Sequence, residues 1–376
     1  MILVENLLKN LKKNNVNFFT GVPDSTLREW MTLLDSHQSE FENRIAANEG
    51  TAIAHAAGYY LATKKLSVVY LQNAGLGNCI SPLTSLTDSD VYSIPLIMII
   101  GWRGQPNQED EPQHKKQGRV MLDMLKSMEI PYKILRKNDT NVEVKNKTSK
   151  IINKITKIGS PAALIVEKGL FQSYSPAKEP QKLYSLSRNN AMKTILQSIS
   201  KQSIVVATTG FTSRELYEYR VEHAKSNNTD FLTVGGMGHA NQIAAGIALN
   251  CNKPIYCFDG DGAILMHLGS LAVNASLKIP NFKHIVFNNG SHESVGGQPT
   301  VGHMISISNI AKNCGYQLTL KVKTKRQLIS SISKIIKFKG SCLLEVMISN
   351  NTKSDLSRPI KSPQQNKTEL MSFIKK

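Results

Sequence analysis

Asp259-Gly260-Asp261-Gly262-Ala263, followed a helix and a strand later by Asn288-Asn289-Gly290, decides the fold. The residues just before it, Ile255-Tyr256-Cys257-Phe258, form an apolar run of strand length that stops at the glycines. Ile264, Leu265, Leu268, Leu271 and Ala272 recur at helical spacing and predict a helix over 263–276. His284-Ile285-Val286-Phe287 predicts a second strand ending at Asn288. A strand, helix, strand unit of this length is a right-handed crossover between parallel strands. Asp261 and Asn288 then leave the sheet at the same carboxyl edge, where open α/β sheets bind ligands. One carboxylate, one amide oxygen and backbone carbonyls suit a hard cation, and Mg²⁺ completes its octahedron with phosphate oxygens and water. Either motif alone also fits an ordinary turn closing a strand. The two together, with a helix between them, argue for a site.

The 376 residues are enough for two or three domains. The longest apolar stretch, 94–100, is too short to span a bilayer, and residues 1–13 lack a secretory apolar region and cleavage site. Five scattered cysteines contain no CxxC pair and read as small core residues in a reducing compartment, so a cytoplasmic protein is expected. A net charge of +18 raises the alternative of a nucleic-acid-binding protein. The lysines are spread over helix faces at 145–157 and 321–337, without an aromatic-interleaved groove. The charge reads as solvated surface that attracts anions at long range. Neither nucleic acid nor membrane is an expected partner.

The chain carries the same pattern twice. In the first half an Ala-rich helix over 51–63 leads to a strand over 67–71, the loop Asn73-Ala74-Gly75-Leu76-Gly77, a helix to 86 and a strand over 95–100. In the second half a helix over 241–249 leads to a strand over 254–258, the glycine loop, a helix and a strand over 284–287. Gly75 corresponds to Gly262. Each half closes with a Lys/Ile helix, a Gly-Ser pair and a strand, at 162–167 and 342–347. The expected fold class is α/β, with two similar domains that are each a mainly parallel sheet flanked by helices. The expected division is 1–170, a linker at 171–187, 188–350, and a polar tail at 351–376.

The Asp261 and Asn288 spacing resembles the signature of the thiamine diphosphate-dependent enzymes. Gly21-Val22-Pro23-Asp24-Ser25, Gly101-Trp102-Arg103-Gly104, the stretch 110–119 and the stretch 288–300 resemble two-domain decarboxylases of that family acting on 3-phosphonopyruvate or 3-sulfopyruvate. Ser291 and Glu293 depart from the Ala and Asp that the resemblance leads one to expect. The resemblance implies thiamine diphosphate and Mg²⁺ as cofactors. It implies that the first domain holds the pyrimidine ring and the second the diphosphate, with active sites at subunit interfaces of a homo-oligomer. The implied reaction turns phosphonopyruvate into phosphonoacetaldehyde and CO₂ in phosphonate biosynthesis, with sulfopyruvate as the alternative small anionic 2-oxo acid.

The same resemblance assigns residues. Asp261, Asn288 and the carbonyl of Gly290 match the metal ligands. Glu49, in Asn48-Glu49-Gly50-Thr51, matches the glutamate that touches the pyrimidine N1′; on its own it also reads as a helix N-terminal acid. Met237 matches the bulky residue under the bent cofactor, and the Gly235 carbonyl the acceptor for its amino group. Thr212, Ser213, Gly260, Gly262 and Ala263 fall around the diphosphate, although Thr212 or Ser213 also fits a plain N-cap. Asp24 and His114 are candidates for proton transfer near the reacting carbon; Asp24 also reads as a cap and His114 as a solvated loop histidine. Arg103, Lys115, Lys116 and Arg119 are the cations available to a dianionic substrate. His292 and Gln298 would close over it, and both read equally well as surface loop.

Overall fold

The computed structural model describes residues 2–174, 183–223, 228–350 and 356–375. They form two compact units, residues 1–179 with 295–298, and residues 180–294 with 299–376. Part of the expected linker, including Pro176 and Pro180, lies outside the described residues.

The first unit contains strands β1 (Phe18–Gly21), β2 (Glu42–Ile45), β3 (Ser67–Gln72), β4 (Ile97–Trp102), β5 (Tyr132–Leu135) and β6 (Ala162–Glu167), in the order 2-1-3-4-6-5. The second contains β7 (Ile204–Ala207), β8 (Asp230–Leu232), β9 (Ile255–Gly260), β10 (Phe282–Asn288), β11 (Leu318–Val322) and β12 (Cys342–Met347), in the order 11-12-10-9-7-8. Adding six to each number of the first sheet gives the second sheet read from its other end. Every pairing is parallel.

Helices cover both faces of each sheet, so the central strands are apolar almost throughout. Side chains alternate between faces as the pleat requires: Val68 and Tyr70 enter one core, and Val69 and Leu71 the other. The same holds for Tyr256 and Phe258 against Ile255 and Cys257.

Two elements differ from expectation. The helix expected over 263–276 is broken into Asp261–Met266 and Ser270–Ser276. His267 leaves helical geometry at the break, with its ring 4.5 Å from that of His239. The apolar periodicity runs on because Ile264 and Leu271 enter one core. The second difference lies in the tail, which carries the helix Pro363–Ile374, started by a Ser362/Gln365 capping box. Its composition is polar, but Asn366 and Leu370 are buried one turn apart. The Asn366 side chain donates to the Asp230 carbonyl at 2.8 Å and accepts from the Leu232 amide at 3.1 Å, pairing with the outer side of β8. Among the described residues, no helix is long and apolar enough to cross a membrane.

Candidate active site

In the first unit the candidate residues gather at the carboxyl ends of β1, β3 and β4. Asn48 caps the helix Glu49–Thr63, accepting from the Thr51 amide at 2.9 Å, which sets Glu49 in the first helical position. The Glu49 carboxylate is buried and accepts from Asn78 Nδ2 at 2.7 Å. It lies over Gly75, where a Cβ would meet Oε1 at 2.2 Å. Burial raises its pKa, against the lowering effect of the Asn78 bond.

Asp24 does cap a turn, accepting from the Thr26 amide at 3.1 Å. It also accepts from Gln72 Nε2 at 2.5 Å. It is fully buried, and burial raises its carboxyl pKa despite the Gln72 bond and the charge of Arg103.

His114 is not a loop residue. It lies in the helix Pro112–Ser127, buried, with Nδ1 2.9 Å from Asp110 Oδ1. A carboxylate at Nδ1 places the proton there and leaves Nε2 as the titrating nitrogen. Burial lowers the His114 pKa, the Asp110 bond opposes that, and Arg103 lowers it further. Asp110 is the hub of this corner. It takes both Nε and a terminal nitrogen of Arg103, and the amides of Gly104 (2.7 Å) and Glu111 (2.8 Å). These donors hold its carboxyl well below the usual range although burial pulls the other way. The remaining terminal nitrogen of Arg103 donates to Ser25 Oγ at 2.9 Å. Arg103 is therefore a braced cation, whereas Lys115, Lys116 and Arg119 stand exposed on the same helix as His114.

The second unit holds the metal candidates. Asp261 opens a helix immediately after β9, and Asn288 is the last residue of the neighbouring β10. Both are buried. A Cβ on Gly302 would lie 2.6 Å from Asp261 Oδ2 and 2.8 Å from Asn288 Oδ1, so the two oxygens pack side by side against Gly302, where any larger residue would crowd them. Burial pushes the Asp261 pKa up to about 6, against bonds from the Thr300 hydroxyl and the Asn289 amide. A cation beside it would reverse that shift. A buried carboxylate whose charge burial disfavours, with an amide oxygen alongside, fits Mg²⁺. The Gly290 carbonyl accepts from the Thr300 amide at 2.9 Å and keeps its second lone pair. Asp259 serves elsewhere, accepting from the Gly260 amide (3.0 Å) with His284 Nε2 at 3.3 Å in the core.

Around this pair, Gly262 and Ala263 lie in the first turn after Gly260. Gly235 and Gly238 have φ of +74° and +89°, which glycine adopts without cost. The Met237 methyl reaches within 3.6 Å of a Cβ built on Gly262. The helix Phe211–Glu222 is capped by Gly210, so neither Thr212 nor Ser213 is the N-cap. The Ser213 hydroxyl donates to the Thr208 carbonyl at 2.7 Å, which leaves the first-turn amides as the anion donors. The His292 ring packs on Gly262, and burial pushes its pKa down to about 4, so it is neutral near pH 7. Gln298 is buried and groups with the first unit, and His292 with the second.

Sequence reading missed Asn78, Asp110, Thr300, Gly302 and Glu345. Of these, Glu345 left a signal: a single carboxylate inside the apolar strand Cys342–Met347.

Residues 1–128 match the model described as thiamine pyrophosphate enzyme, N-terminal TPP binding domain, and residues 209–346 match its C-terminal TPP binding domain counterpart. The chain belongs to the thiamine pyrophosphate enzyme family, and thiamine diphosphate is its cofactor. Within that family it is 30% identical to phosphonopyruvate decarboxylase of Streptomyces hygroscopicus, over 97% of this chain and 92% of that protein. It is 29% identical to phosphonopyruvate decarboxylase of Streptomyces viridochromogenes, over 100% of this chain and 95% of that protein. With sulfopyruvate decarboxylase of Methanosarcina acetivorans it shares 25% identity, over 92% and 90%.

Proposed function

We propose that the protein is a carboxy-lyase that converts 3-phosphonopyruvate to phosphonoacetaldehyde and CO₂ with thiamine diphosphate and Mg²⁺. The observation that carries this is the 30% identity along nearly the whole chain to a phosphonopyruvate decarboxylase, joined to the adjacent buried oxygens of Asp261 and Asn288. When bound, thiamine diphosphate supplies a nucleophilic carbon and an electron sink for the electrons left as CO₂ departs.

This chain's residues do the rest. Asp261, Asn288 and the Gly290 carbonyl hold the metal that carries the diphosphate, with the amides of Gly262, Ala263, Thr212 and Ser213 as further donors. Met237 and the Gly235 carbonyl position the rings. Glu49, kept protonatable by burial, holds a proton against the pyrimidine nitrogen. Asp24 and His114 move protons at the reacting carbon; Asp110 keeps Nε2 of His114 as the working nitrogen. Arg103, braced by Asp110 and Ser25, sets a fixed positive charge, and Lys115 and Arg119 meet the phosphonate. His292 and Gln298 close over the substrate. The domains divide at 1–170 and 188–350, joined by 171–187.

We place the protein in the cytoplasm, in phosphonate biosynthesis, as a homo-oligomer whose active sites are shared between subunits. Decarboxylation of sulfopyruvate is the second reading, favoured by the 25% identity to an enzyme of that name. CO₂ release from phosphonopyruvate, sulfopyruvate and pyruvate, with and without Mg²⁺ and thiamine diphosphate, tests both. Turnover strongest on phosphonopyruvate is expected; cofactor-dependent preference for sulfopyruvate would move the substrate, and no release from any would reject the function.

A further inference from the structure

The strand Cys342–Met347 is apolar apart from Glu345, and Glu345 is fully buried. A buried carboxylate is costly unless its oxygens are met by donors. Three donors meet it. The Ser308 amide, in the first turn of the helix Ile307–Asn313, donates to Oε2 at 3.0 Å. Lys321, its register partner on β11, brings Nζ to 3.1 Å from Oε1. The third donor is Asn288 Nδ2, at 2.9 Å from the same Oε1.

That third bond reaches the candidate metal pocket. Asn288 Nδ2 also donates to the Gly302 carbonyl at 2.7 Å, so both amide hydrogens lie on oxygen acceptors. Turning the amide over would set its oxygen against the Gly302 carbonyl and the Glu345 carboxylate, lone pair facing lone pair. Only one orientation survives, and it turns Oδ1 toward the Gly290 amide (3.1 Å) and toward the side of Gly302 on which Asp261 Oδ2 also lies. A carboxylate accepting from the NH₂ group also draws charge through the amide onto its oxygen, making Oδ1 a stronger donor to a cation.

We propose that Glu345 is a positioning residue that fixes and polarises Asn288 as a metal ligand. The inference rests on the reading of Asn288 as a ligand. The rival account is a purely structural cross-strand pair between Lys321 and Glu345.

The test uses the full chain with saturating thiamine diphosphate and Mn²⁺ as the probe, free ion being read by electron paramagnetic resonance. Glu345→Gln keeps the shape but meets the three donors with only one acceptor oxygen. It is expected to weaken Mn²⁺ about 10- to 100-fold, the usual range for such outer partners. Asn288→Ala is expected to weaken it as well. Adding Glu345→Gln to Asn288→Ala should cost no more than about twofold further, because the effect runs through Asn288. Lys321→Met, at a partly exposed position, should leave affinity within about threefold if Glu345 serves Asn288 rather than Lys321.

Wild-type affinity in Glu345→Gln, with Asn288→Ala weakened, would overturn the inference and leave the ligand assignment standing. Unchanged affinity in Asn288→Ala would remove the ligand assignment and the inference with it. Additive losses, or equal losses in Lys321→Met and Glu345→Gln, would make Glu345 structural only. If Glu345→Gln does not fold, Asn288→Asp decides. A second carboxylate facing Glu345 should weaken Mn²⁺, although carboxylates are the better ligands in isolation; equal or tighter binding would overturn the proposal.

Discussion

Replacing Gly302 by alanine tests the convergence of Asp261 and Asn288 directly. The new Cβ would lie 2.6 Å from Asp261 Oδ2 and 2.8 Å from Asn288 Oδ1, against ordinary contact beginning at 3.4 Å. Gly302 is not among the residues with positive φ, so alanine introduces no backbone strain and the effect is purely steric. The two oxygens must give by more than half an ångström, and neither is the end of a long flexible side chain. Overpacking of this kind costs about 1–3 kcal/mol. Where that cost falls on the metal-bound form, affinity drops by about 5- to 150-fold. Titration calorimetry with Mg²⁺ at saturating thiamine diphosphate reads this as a Kd ratio. Gly246→Ala is the control: it sits in the helix Ala240–Leu249 with nothing within 4 Å of its built Cβ. It should leave the Kd alone and raise stability by up to about 1 kcal/mol. Binding by Gly302→Ala within twofold of wild type would refute the idea that these two oxygens share a cation.

Metal affinity should also depend on pH through Asp261. Its folded pKa, about 6, lies above the unfolded value of 3.8, so the folded metal-free protein holds the proton more tightly. That contribution to metal-free stability is present below about pH 4 and is lost as pH rises through about 6. A cation must displace the proton, so Mn²⁺ affinity should fall about tenfold per pH unit below 6 and level off above it; a flat profile from pH 5 to 8 would contradict the assignment. Asp110→Asn should destabilise the first unit by about 3–5 kcal/mol, because the braced Arg103 loses its partner. NMR should show the His114 titration moving to still lower pH, since Asp110 is what opposes its downward shift. Asn366→Ala removes two bonds to β8 and should cost about 2–4 kcal/mol in urea unfolding, with fluorescence or circular dichroism as the probe.

Much of the fold was legible because parallel sheets buried on both faces leave long apolar runs. The strands Ala162–Glu167 and Cys342–Met347 fall where their runs begin and end. The glycine loops after β3 and β9 stood out because an apolar run stops there. Periodicity could not show the break at His267, since the residues on either side face one core and the ring at the break meets distant His239. The tail helix was hidden by its composition: one asparagine and a few apolar residues anchor an otherwise polar segment. At the site, residues carrying a motif were visible while those holding them were not. Asp110 lies four residues before His114 in a charged stretch, where nothing separates a hub from a solvated acid. Thr300 and Gly302 act on Asp261 across a turn, a contact that spacing alone does not specify.

The amide of Asn366 has a consequence for the behaviour of the protein in concentrated solution. An outer strand offers a row of unused hydrogen-bonding groups to any passing chain. β2 carries Glu42 and Arg44 and β5 carries Lys133, charges that discourage strand addition. The acid of β8, Asp230, is instead turned to Arg220 at 2.8 Å and offers no such repulsion. Asn366 supplies what charge does elsewhere, meeting the Asp230 carbonyl and the Leu232 amide with its own two ends. Loss of the last helix would therefore give the molecule a sticky border, prone to self-association before it is prone to unfolding.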